Sequence, residues 1–303
     1  MFEHILVPLD GSATAEVVLP AAAYLAKTLN ARVTLIHVIE TDAAPSIHGE
    51  RHLTSQQEAE AYLAQIAGRF FAAGRVDCHV HAAGTRDVAR GIVLHEAELA
   101  PDMVILCTHG SSGLRGLLFG RIAQQVAAYG NLPVLLIRPE YPVDMAYTCR
   151  RILVPTDGTA KHAQGPAIAQ HLACATGARL EILTVVPTHK ALAGQQAIAG
   201  RFAPVATRVL LEMEATGRKE HLEEQTHTCQ AAGVSAGTHL KRGEPAAVIA
   251  KMADKLEADL IVLGTHGKSG TQAFWNRSVG AGVLAKTLRP VLLVPVGAEQ
   301  PGS

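Results

Sequence analysis

Short apolar runs recur along this chain, each closed by a turn signal and followed by a stretch of helical period. Ile5 to Leu9 runs without alternation into Asp10-Gly11-Ser12, the pattern of a strand covered on both faces. Ser12 is placed to cap an alanine-rich helix that reaches Leu29, with Asn30 as its stop. Arg32 to Ile39 predicts a second strand, and the polar stretch Thr41 to Leu53, with its proline and glycine, predicts a loop. A helix is expected over Thr54 to Ala73, ended by Gly74. A third strand follows over Val76 to Ala82, then a helix to Leu99 capped by Thr85.

The next stretch, Asp102 to Pro139, reads DMVILCTHGSSGLRGLLFGRIAQQVAAYGNLPVLLIRP, and it returns from Asp259 to Pro295 as DLIVLGTHGKSGTQAFWNRSVGAGVLAKTLRPVLLVP. His109 matches His266 and Pro133 matches Pro290, both at an offset of 157 residues. HILVPLDGS at His4 to Ser12 returns as RILVPTDGT at Arg151 to Thr159, at an offset of 147, so ten residues are inserted in the second copy between these anchors. The second half therefore predicts strands at Arg151 to Thr156, Leu180 to Val186 and Ser235 to Lys241, with a Thr159-capped helix to Thr176 between the first two. Pro187 to Gly200 predicts a loop, Ala203 to Ala232 a long helical stretch, and Glu244-Pro245 the opening of another helix. The expected domains are 1–140 and 151–297, with a linker over 141–150 and a tail over 298–303. Each is of ordinary single-domain size.

Strand alternating with helix implies βαβ units that close into a parallel sheet with right-handed crossovers. Each half is then α/β, a doubly wound five-stranded domain. In such sheets ligands bind beyond the carboxyl ends of the strands, where the strand order reverses. Asp10, Val38 and the Thr108-His109-Gly110 turn would converge there.

Composition narrows the function. Hydrophobic residues make up 48% of the chain and charged residues 18%, enough for a core in each half. Lys plus Arg balances Asp plus Glu at 27 each, without the basic excess that nucleic-acid or anionic-membrane partners demand. No apolar run approaches the roughly 20 residues of a membrane span. MFEHILVPLD enters a strand-like run with no charged-then-apolar leader ahead of it, so the expected location is the cytoplasm. The five cysteines are odd in number and form no CxxC pair, which predicts reduced thiols.

No G-x-S-x-G elbow, HExxH or post-strand-one GxGxxG is present. Gly264 to Ser269 (GTHGKS) lacks the spacing of a phosphate loop of the GxxxxGKS type and follows strand four instead of strand one. Asp77, His79 and His81 share a face of strand three. A lone strand offers no further ligand, so a solvated face and no metal are expected.

Three spaced motifs recur in both halves, the third in altered form. They are the VPxDG[ST] opening, the His-Val or Val-Val end of strand two, and Gly-x-x-Gly, nine residues, Gly-Ser/Thr after strand four. Together they resemble the universal stress protein family in its tandem form, over essentially all of Met1 to Val296. The resemblance implies an adenine-nucleotide α-hydrolase-like fold with strand order 3-2-1-4-5. It also implies ATP, with or without magnesium, as the ligand. In the first half the site would use Pro8, Asp10, Val38, Leu106, Gly110, Gly120 and Arg121. In the second it would use Pro155, Asp157, Val185, Leu263, Gly264, His266 and Gly267, followed by Arg277, Ser278 and Val279.

The glycines have a physical reason of their own. A phosphate held by backbone N–H groups needs an approach that a Cβ obstructs, and the following helix start adds partial positive charge. Both halves depart from the pattern. Cys107 replaces the first glycine and Arg121 the Ser/Thr in the first half, and Arg277 replaces the last glycine in the second. Each arginine either crowds the phosphate seat or binds phosphate in place of the lost contact. Asp10 and Asp157 either hydrogen-bond nucleotide or simply build the Asp-Gly turn.

The reading expected is a stress-response sensor or regulator with at most slow ATP hydrolysis. A nucleotide-free interaction protein with an unidentified protein partner is the alternative, and an adenylating ligase a third. The resemblance also implies strand-five pairing, Val134 to Ile137 facing Val291 to Val294 within one chain, with or without a further homodimer.

Overall fold

The computed structural model describes the chain except residues 42–43, 86, 109–119, 142–146, 158–163, 187–216, 218–221, 267–277 and 297–303, together with the side chains of 82–85, 266 and 296. The chain forms two compact units. One spans Met1–Thr148, His266–Asn276 and Pro290–Ser303, the other Cys149–Thr265 and Arg277–Arg289. The expected second domain thus lends its last strand to the first unit.

The first unit contains β1 (His4–Pro8), α1 (Ala13–Glu16), α2 (Leu19–Leu29), β2 (Arg32–Glu40), β3 (Ser46–Ile47), β4 (Glu50–Arg51), α3 (Gln56–Phe70), β5 (Val76–Thr85), α4 (Val88–Leu99), β6 (Met103–Cys107), α5 (Arg121–Tyr129) and β7 (Val134–Ile137). The second contains β8 (Arg151–Pro155), α6 (Gln164–Thr176), β9 (Arg179–Val186), helical residues 222–231, β10 (Ala236–Arg242), α7 (Pro245–Lys255), β11 (Leu260–His266) and α8 (Val279–Lys286). The last strand is β12 (Val291–Val296).

In the first unit the parallel order is β5-β2-β1-β6-β7, the expected 3-2-1-4-5. In the second it is β10-β9-β8-β11, or 3-2-1-4. The two-sided burial expected of the apolar runs is complete. Ile5, Leu6, Val7, Ile152, Leu153 and Val154 have no accessible surface, and full burial of each such side chain favours folding by about 1.5–3 kcal/mol.

β12 pairs antiparallel with β7 through Val291 with Leu136, Leu292 with Leu135 and Leu293 with Val134. All six are buried. Left open, this apolar edge would template association with another strand. The pairing expected of strand five is therefore present within the chain.

Local signals are mostly where the residues put them. Ser12 caps α1 through Ala15 N, and Asn30 ends α2 in the left-handed conformation at φ 55. Glu244 caps α7 with Pro245 in its first turn. Three expectations change. The helix foreseen from Ser12 to Leu29 is broken into α1 and α2 around Val17 and Val18, with proline in the first turn of α2, because the ring of Pro20 cannot continue a helix from before it. The Thr41–Leu53 loop carries the small β3–β4 hairpin. Asp87, not Thr85, caps α4 by accepting from Arg90 N, since β5 continues through Thr85. Thr159, Pro187 to Gly200 and much of Ala203 to Ala232 lie outside the described residues.

One pair of residues does the same work in both units. Asp102 Oδ2 accepts from Glu3 N at 2.7 Å and His4 N at 2.9 Å, fastening the start of β1 to the start of β6. Asp259 Oδ2 accepts from Arg150 N at 2.7 Å and Arg151 N at 2.9 Å, doing so for β8 and β11. Truncating either aspartate strands two amides, so Asp102→Ala and Asp259→Ala should each lower stability by about 1–3 kcal/mol in urea unfolding. Deleting residues 291–303 should uncover β7 and drive self-association, visible as a rise in mass by light scattering.

Candidate functional site

The site grows from the end of β1. The ladder between β1 and β6 holds Ile5 opposite Met103 and Leu6 opposite Val104. Beyond these pairs β1 continues beside β2, with Leu9 N donating to Ile36 O, and β6 continues beside β7, with Thr108 N donating to Ile137 O. The two strands follow different partners, and a cleft of about 400 Å³ lies at their carboxyl ends. That is the size of a small-molecule pocket, roughly 300–1,000 Å³.

Six of the expected residues of the first half line this cleft: Pro8, Asp10, Val38, Leu106, Gly120 and Arg121. Gly110 lies outside the described residues. Asp10 Oδ1 accepts from Ser12 N at 2.9 Å and Ser12 Oγ at 2.7 Å, while Oδ2 stands 3.8 Å from His48 Nε2. One oxygen thus builds the turn, and the other faces the hairpin. Gly11 is required in that turn. Its φ is +90, and a Cβ there would stand 2.7 Å from Leu53 Cδ1.

The far wall is the start of α5. Gly120 occupies the cap position without a side-chain hydrogen bond, and Arg121 follows in the first turn. The first amides of α5 therefore have no intrahelical partner and no capping side chain, a setting that favours an anion. Cys107, where the resemblance has glycine, is buried in the cleft floor. Burial, and then the charges of Asp10 and Glu140, push its thiol up, so it stays protonated.

The residues missed by sequence reading are those of the roof. His37 is buried and bonds through Nδ1 to Leu9 O at 2.8 Å and through Nε2 to Leu53 O at 3.2 Å, tying the end of β1 to the end of the hairpin segment. His52 Nδ1 reaches Ala44 O at 3.2 Å. The Glu50 carboxylate accepts from Ala13 N at 3.1 Å and 3.3 Å, so the hairpin itself supplies the charge that complements α1. Ile47, His48 and His52 line the cleft. The proline and glycine of this segment signalled a turn, and nothing in its sequence signalled where it folds back.

In the second unit Pro155 and Asp157 stand at the end of β8, Val185 near the end of β9, and Leu263 and Gly264 near the end of β11. Ser278 caps α8, its Oγ accepting from Ala281 N at 3.1 Å, and Val279 opens that helix. Gly267, Arg277 and the His266 side chain lie outside the described residues.

A sequence profile of the universal stress protein family matches residues 1–138 and again residues 148–295. The chain belongs to the universal stress protein family. A universal stress protein of Methanocaldococcus jannaschii is 28% identical over 145 residues, covering 48% of this chain and 81% of the relative. The universal stress protein YxiE of Bacillus subtilis is 25% identical over 150 residues, covering 46% of this chain and 100% of the relative. Each relative thus matches about half of the duplicated chain. A crystal structure of a universal stress protein from Archaeoglobus fulgidus superposes with a TM-score of 0.71 at 18% identity, over 98% of this chain and 97% of that one. That likeness shows the doubly wound tandem fold. Among the described residues no helix is long and apolar enough to cross a membrane.

The cleft's outer support carries a titratable group. Glu96 on α4 accepts from Asn131 N at 3.4 Å, just past the end of α5. Burial pushes its carboxyl up to about 7, the Asn131 amide opposing only in part. A folded value above the unfolded one means that Glu96 favours the fold below the usual carboxylate range and loses that contribution as pH rises through about 7. Glu96→Gln should therefore flatten the loss of urea resistance between about pH 5 and pH 8 relative to the parent chain.

Proposed function

We propose that this universal stress protein is a cytoplasmic stress-response sensor or regulator that holds ATP, with or without magnesium, in the cleft of its first unit. The observation that carries the reading is the uncapped start of α5, with Arg121 in its first turn, opening onto the cleft at the reversal of strand order. Phosphate oxygens seated there accept from backbone amides and from the guanidinium. Pro8, Val38, Ile92 and Leu106 supply apolar wall for the base, and the Asp10 carboxylate is an acceptor for ribose hydroxyls. The second unit takes nucleotide, on this reading, at Asp157, Val185, Gly264 and Ser278. Turnover, on this reading, is slow at most.

A nucleotide-free interaction protein is the second reading. It is favoured by Cys107 occupying the floor where the family pattern has glycine, and by Ile47 and His48 standing in the same cleft.

Isothermal titration with ATP and magnesium separates the two. Binding in the micromolar to millimolar range is expected, weakened about ten- to a hundredfold by Arg121→Ala, the range expected for a charge-assisted hydrogen bond. No heat at millimolar ATP, together with no nucleotide in mass spectra of freshly isolated protein, would leave the second reading standing.

A further inference from the structure

The outer strand of the first unit's sheet, β5, carries His79 and His81 on one face by the two-residue period. The sequence offers that strand no further ligand, but the fold does. α4 lies against the same face and brings His95, with Glu98 one turn later. His95 Nε2 is 2.8 Å from His81 Nδ1. The His79 and His95 rings meet edge to face at 4.5 Å, and the His81 and His95 rings at 4.9 Å. Glu98 Oε2 lies 2.7 Å from His95 Nδ1. One ligand atom from each of His79, His95 and Glu98 can be chosen so that all lie within 4.8 Å of one another.

The centre of this cluster is buried. The His95 side chain is only 6% exposed, and its buried Nδ1 faces Glu98 Oε2 at 2.7 Å. If His95 Nε2–H donates to His81 Nδ1, then Nδ1 carries a lone pair and faces a carboxylate oxygen. In that tautomer a positive charge between the two, a proton or a metal ion, removes the repulsion.

We propose that His79, His95 and Glu98 bind a divalent transition cation of the zinc type, with His81 holding His95 in the ligating tautomer. Two imidazoles and one carboxylate are a zinc-type donor set, whereas magnesium and calcium prefer oxygen alone. Tetrahedral zinc with bonds of about 2.0–2.2 Å sets its ligand atoms roughly 3.3–3.6 Å apart. The widest pair of the set must therefore close by about 1 Å and the His95–Glu98 pair must open by somewhat less, a change that Glu98, exposed at the surface, is free to make. The fourth position is left to water. None of these four residues lines the nucleotide cleft, so the ion site stands apart from the reading of that cleft. It fastens the outer strand to α4, whose first turn, Val88 and Ala89, forms part of the cleft wall.

The test uses the full chain, freed of metal with a chelator and titrated with Zn(II) against a chromophoric competitor, with Co(II) absorption as a second readout. One equivalent is expected to bind tightly, and Co(II) should show the intense visible bands of a four-coordinate site. His79→Gln and Glu98→Gln should each weaken Zn(II) by at least about tenfold. His227→Gln, an exposed histidine of the second unit, should change nothing. His95 is left intact because its burial would confound binding with folding, and circular dichroism checks that each variant is folded. With fifteen histidines in the chain, some weak uptake is expected everywhere. If the folded double variant His79→Gln, Glu98→Gln takes up Zn(II) with the stoichiometry and affinity of the parent, the site does not exist as assigned.

Discussion

The structure turns on the short hydrogen-bonded join between the first and fourth strand of each unit. Two residue pairs register β1 with β6, and two register β8 with β11. At the amino end each join is locked by an aspartate that accepts from two successive amides of the first strand. At the carboxyl end of the first unit nothing comparable among the described residues holds β1 to β6. β1 follows β2 and β6 follows β7, so a sheet secured at one end parts at the other. The cleft is the consequence of that asymmetry, and every candidate ligand contact in the first unit is placed by it.

Once the join is fixed, the interior beside it can vary. In the first unit His4 Nε2 meets Thr34 Oγ1 at 2.8 Å, both buried. In the second unit the corresponding positions are Arg151 and Glu181, with Arg179 Nε at 2.8 Å and His239 Nε2 at 2.8 Å on the same carboxylate. A buried charge must be paired and hydrogen-bonded to be tolerated, and Glu181, at the position equivalent to Thr34, has Arg151, Arg179 and His239 from three strands around it. Both solutions satisfy the same geometric demand, a filled polar position under the first strand. The ion-pair version ties β10 to β9 as well.

The two candidate sites differ for a local reason. A helix start can be completed by its own side chain or left for a ligand. α8 is completed by Ser278, while α5 has a glycine that cannot cap and an arginine that adds positive charge. The roof differs as well, because the first unit commits buried His37 to holding the β3–β4 segment over the cleft. Part of what looked like a nucleotide pattern in sequence is therefore used internally. Asp10 Oδ1 serves its turn and the Ser278 hydroxyl serves its helix.

The sequence by itself determined the parts whose causes are local. Apolar runs without alternation became buried central strands, Ser12, Asn30 and Glu244 set helix ends, and the duplicated stretch from Asp102 foretold two alike sheets. Asp102 and Asp259 were visible as a repeated pair, but their task was not, because an aspartate before a strand reads like any other turn residue until its distant amides are in place. Tertiary structure alone decided which histidines meet. His79 and His81 looked like a solvated face, and only the packing of α4 across β5 brought His95 and Glu98 to them. It also decided that the segment from Ser46 to Leu53 folds back as a roof and that β12 completes the first unit. These contacts join residues far apart in the chain, and nothing in a local pattern of polar and apolar positions records which distant partner a surface will face.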